Sequence, residues 1–71
     1  MSKDKDHIID KLTGHYESVK LQHDELGLYI EEQYKNYASD DKIQELKIHK
    51  LHLKEEMQYV LSRIEALENE S

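Results

Sequence analysis

The 71-residue chain has a formal net charge of −6, 37% hydrophobic and 37% charged residues, and no Pro, Cys, Trp or Phe. This length and composition describe one small domain of marginal stability as a monomer, and the absence of Cys excludes a disulfide framework and any thiolate site. The acidic balance argues against nonspecific nucleic-acid binding, which needs several phosphate-neutralising cations on one face, and against attachment to an anionic membrane.

The start of the chain, "MSKDKDHIID", lacks the apolar run of a signal peptide. No stretch approaches the ~18 apolar residues of a membrane span. The expected localisation is cytoplasmic. A proline-free, Leu/Lys/Glu-rich composition favours long helices, because nothing in it forces a break.

The first helical segment is predicted over about residues 4–37. Its seam residues are Ile9, Leu12, Tyr16, Val19, His23, Leu26, Ile30 and Gln33, spaced alternately by three and four. This is the a/d alternation of a heptad repeat. Gly14 and Gly27 each cost about 1 kcal/mol relative to Ala inside a helix. Gly27 lies among strong seam residues and is expected to be tolerated. Thr13-Gly14 is expected to break or kink the segment, leaving residues 1–13 as a short separate N-terminal helix or frayed turn. A continuous helix is the other reading.

The joint "YASDD" is predicted to turn at about residues 38–40. Ser39 or Asp40 can accept a hydrogen bond from free N–H groups of the next helix, and the acids suit its positive end. The second segment, about residues 40–68, has its seam at Ile43, Leu46, Lys50, Leu53, Met57, Val60, Ile64 and Leu67. It ends where the polar tail "ENES" frays.

A short joint makes the two segments antiparallel neighbours. With the turn centred near Ala38, residues whose numbers sum to 76 lie level. Ile9 then faces Leu67, Leu12 faces Ile64, Tyr16 faces Val60, Val19 faces Met57, His23 faces Leu53, Leu26 faces Lys50, and Ile30 faces Leu46. Each a position meets a d position, as antiparallel packing prefers. The expected fold is all-α: a single-domain antiparallel two-helix hairpin of coiled-coil type.

The second segment, "DDKIQELKIHKLHLKEEMQYVL", resembles the signature half of the YdcH-like family of small, uncharacterised bacterial proteins. The matching positions are Ile43, Leu46, Lys47, Lys50, Leu51, Leu53, Lys54, Glu55, Glu56, Met57, Val60 and Leu61. In the first segment Tyr16, Val19, His23, Leu26 and Ile30 stand at the family's spacings, so the resemblance covers roughly residues 7–61. It implies a long α-hairpin and supplies no catalytic residues. The departure is near Gly14, where related chains usually carry a longer linker that includes proline.

The stretch "LKIHKLHLK", Leu46 to Lys54, raises three chemical readings. Lys50 at an a position lays its methylenes along the seam and lifts its ammonium into water. There it is either a register-setting polar layer with His23 or a tolerated residue at a wet seam. His49 and His52 are weak candidate metal ligands: Glu45 with His49 and His52 with Glu56 are i, i+4 pairs, and His23 lies at a nearby level. Against a metal, the two histidines are about 60° apart around the helix. Lys47, Lys50 and Lys54 with the histidines form a local cationic patch, flanked by Glu45, Glu55 and Glu56. Tyr29, Tyr34 and Tyr37 gather beside the turn, with Tyr34 flanking the seam. Lys20 and Lys54 flank it at a similar level and should repel slightly.

Leu21, Leu28, Ile48 and Leu51 fall outside the seam, where a lone hairpin leaves them exposed. Four such residues on so small a surface suggest a further interface. No nucleophile–base set, phosphate loop or carboxylate pair sits where this fold could enclose it. The expected function is therefore a non-enzymatic protein–protein interaction module, self-associating as a homodimer or docking on a protein partner. Neither a cofactor nor a small-molecule substrate is expected. The alternative is a small nucleic-acid-associated regulator using the Lys/His patch.

Overall fold

A computed structural model describes residues 2–69, and among them forms two helices and no strand. Helix α1 spans Ser2–Lys35 and α2 spans Asp40–Glu68. They pack side by side as an antiparallel hairpin whose Cα trace measures 54 × 14 × 11 Å. Met1, Glu70 and Ser71, the last two belonging to the tail "ENES", lie outside the described residues.

The heptad alternation explains the pairing. Val19 and Ile30 of α1 and Ile43, Leu53, Val60 and Ile64 of α2 are buried, and the other seam positions are half-buried. With one neighbour apiece, the helices cover each seam residue from one side only. No described side chain is fully enclosed, and Val19 and Val60, at 2% and 3% exposure, come closest.

Two contacts across the flanks fix the alignment. The His15 Nε2 lies 2.8 Å from Glu56 Oε1 on one flank. On the other, the Lys47 ammonium lies 5.2 Å from the centre of the Tyr34 ring. Their residue numbers sum to 71 and 81, symmetric about the 76 of the seam layers.

The turn is longer and begins earlier than the sequence suggests. α1 ends at Lys35, not near residue 37, and the chain reverses over residues 36–39. Tyr37 is left-handed, with φ of 58°. This lets the Tyr37 N–H donate to the Tyr34 carbonyl at 3.1 Å and the Ala38 N–H donate to the Gln33 carbonyl at 2.9 Å. Two carbonyls of the last helical turn are thereby satisfied, a role usually given to glycine. Ser39 is extended (φ −61°, ψ 153°) and its hydroxyl accepts from the Lys42 N–H at 3.2 Å. Asp40 and Asp41 follow at the positive end of α2. The reversal therefore needs a left-handed residue two places before the cap, which stops α1 early.

The expected break at Thr13-Gly14 is absent, and no separate N-terminal helix forms: α1 runs through both residues. Nothing lies within 4 Å of where a Gly14 Cβ would stand. The glycine therefore faces open space while Val60 and Ile64 are buried across the neighbouring layers. That packing outweighs a propensity cost of about 1 kcal/mol.

The tip gives two opposite expectations. Tyr37→Gly should stabilise the hairpin by about 1 kcal/mol by removing the left-handed penalty of a side chain. Ser39→Ala should destabilise it by about 1 kcal/mol. Urea unfolding followed by circular dichroism at one fixed protein concentration measures both.

Candidate functional site

The flank bearing Tyr34 and Lys47 opens into a groove along the middle of the rod. One part, of about 450 Å³, is lined by His23, Lys47, Lys50, Leu51, Lys54 and Met57. The adjoining part, of about 330 Å³, is lined by His23, Asp24, Gly27, Leu28, Glu31 and Lys50. Both share His23 and Lys50, so they form one face with two walls. α1 supplies Asp24, Leu28 and Glu31, and α2 supplies Lys47, Leu51 and Lys54.

The floor of this groove is an interruption of the seam. Lys50 is half-buried, and its ammonium lies 3.1 Å from the point where a Gly27 Cβ would stand, with Cε at 3.5 Å. The ammonium thus rests in the space left by the missing side chain. Gly27, expected only to be tolerated, makes room for the seam lysine. The signal was present in the sequence: Gly27 follows Leu26, the residue level with Lys50, and its column otherwise carries the larger Lys20 and Tyr34.

Among the described residues no carboxylate comes within ion-pairing distance of Lys47, Lys50 or Lys54. The α2 wall is a row of three unneutralised cations, relieved only by the Tyr34 ring over Lys47, a contact worth about 0.5–1 kcal/mol where exposed. On the α1 wall Asp24 lies 3.5 Å from His23 Nδ1, and both belong to the groove.

The histidines and tyrosines are dispersed by the helix period. Lys47 and His49 are about 160° apart around α2, so the proposed Lys/His patch divides between two sides. His49 and His52 are both exposed. Glu56 bonds to His15 on the flank away from Lys47. Among the described residues no group of three His, Asp or Glu side chains is placed to hold a metal. Tyr29 and Tyr34 are about 140° apart around α1, and Tyr37 stands alone at the tip, 93% exposed. The expected tyrosine group is not brought together.

The four outer aliphatic residues are exposed, Leu28 most at 65%. Leu28 and Leu51 line the groove, whereas Leu21 and Ile48 lie outside it. No family model, curated protein or solved structure matches the chain. No helix among the described residues is long and apolar enough to cross a membrane.

Replacing Lys50 by Leu should stabilise the hairpin by about 1 kcal/mol, since it exchanges a polar a residue for an apolar one in a half-covered layer. Thermal melts of the two proteins at matched concentration measure the difference.

Proposed function

We propose that the chain is a non-enzymatic protein–protein interaction module, working in the cytoplasm and related to the YdcH-like hairpins. It self-associates or docks on a protein partner through its outer aliphatic residues. One observation carries this reading: Leu21, Leu28, Ile48 and Leu51, at 59%, 65%, 44% and 51% exposure, crowd a rod that offers open grooves. Apolar side chains concentrated on so small a surface favour an interface. A shallow groove favours contact with a protein surface over the deep enclosure that holds a small substrate. The kinship with the YdcH-like family rests on the residues quoted above.

The alternative, a nucleic-acid-associated regulator, draws support from Lys47, Lys50 and Lys54 sharing one wall. Weighing against it are the acidic wall opposite, His49 and His52 on other sides, and the net charge of −6. A mobility shift of RNA at low ionic strength, lost on Lys47→Glu with Lys54→Glu, favours the alternative; absence of any shift removes it.

The module reading is tested by affinity capture from the source cell with the wild type and with a Leu28→Gln, Leu51→Gln variant. The variant should remain helical by circular dichroism and lose the captured protein, a second copy included. Equal capture by both proteins overturns the role of these leucines. If self-association is the mode, the wild-type melting temperature rises with protein concentration.

A further inference from the structure

We infer that the groove is a self-recognition face: two hairpins stack groove to groove with their turns at the same end, α1 of each over α2 of the other. This deepens the reading of the chain as an interaction module and commits it to a second copy of itself.

The two walls are complementary in charge and in spacing. Asp24 and Glu31 flank Leu28 on α1, and Lys47 and Lys54 flank Leu51 on α2. Each charged pair is two helical turns apart, about 10.5 Å. A two-fold axis along the rod lays α1 of one copy over α2 of the other at the same level. In the alignment fixed by His15–Glu56 and Tyr34–Lys47, Lys47 lies two residues from the level of Glu31. Lys54 lies two residues from the level of Asp24. Each offset is about 3 Å along the axis, well within the reach of a lysine side chain. Leu51 falls between the levels of Asp24 and Leu28, so the leucines of the two copies interleave. Symmetry makes every pairing twice. Turning the second copy end for end would set lysines over lysines and acids over acids, which like-charge repulsion opposes.

The cover is also where the hairpin lacks it. Leu26 and Lys50 are both half-buried, and apart from the terminal Ile9–Leu67 layer theirs is the level of the paired seam with no buried residue. A second copy seated on Gly27 and Lys50 covers the Lys50 side of that level. A specific dimer buries ~800 Å² on each partner, about one-seventh of the 5722 Å² of this chain, which one broad face of the rod can supply.

The chain has no cysteine, so a spin label at Tyr37→Cys reports on the turn alone. Sedimentation equilibrium should give a dimer, and double electron–electron resonance a label separation on the order of 20 Å or less. Lys47→Glu with Lys54→Glu should weaken dimerisation by about tenfold or more. Asp24→Lys with Glu31→Lys should do the same. All four substitutions in one chain should restore it, which unfolding could not do. A mass of one chain at every concentration overturns self-recognition and leaves docking on another protein to the capture experiment above. A dimer whose labels stand on the order of 50 Å apart, the length of the rod, overturns the orientation. Polyglutamate held by the lysine wall of a monomeric chain overturns the proposal as well.

Discussion

Two helices share one seam, and that limit governs the rest of this molecule. Each helix presents two apolar columns to its only neighbour, so every seam residue is covered from across and left open at the flanks. This is why even Val19 and Val60 fall short of full enclosure. It is also why the flanking columns matter beyond their usual rank. In a larger bundle they would meet a third and fourth helix; here they are the surface. Exposed polar and ring contacts such as His15–Glu56 and Tyr34–Lys47 contribute at most about 1 kcal/mol each. The aliphatic seam must therefore supply most of the stability, and it is interrupted at its centre by Lys50.

The interruption has an internal logic. A lysine in an a column must place its charge somewhere wet, and on most helices its neighbours would force the stem outward. Gly27 lets the Lys50 ammonium lie across α1 itself. The same missing side chain deepens the groove and draws the two walls into one face. One local accommodation thus yields the polar seam residue, the concavity, and the nearness of the acidic and basic rows.

Much of this fold could be read from residue types alone because it depends on one period. The three-and-four alternation marks the seam, and the short joint makes the helices antiparallel; Ser39 then caps α2. Residues that act through a period are easy to locate, since each is supported by the next. What escaped reading acts singly. An aromatic residue in the left-handed region at Tyr37 goes against local preference, and only the need to reverse the chain before Ser39 explains it. Gly14 looks like a break because propensity is local, whereas the burial of Val60 and Ile64 that keeps the helix continuous is not. The role of Gly27 left only a faint trace in the sequence, a gap in its column beside the level of Lys50. The Lys/His patch failed for the opposite reason: residues adjacent in the chain are scattered around a helix.

A heptad repeat is degenerate: slide one helix past the other by seven residues and aliphatic again meets aliphatic. Within one chain the tight turn forbids such a slip, and the side chains of the seam agree with it. The notch at Gly27 is a feature that does not repeat. Seven residues to either side its place is taken by Lys20 and Tyr34, where the Lys50 ammonium would meet a like charge or a filled space. Lys50 therefore works as a key cut for one slot. A sequence of nearly interchangeable layers acquires a single address from which all the others are counted.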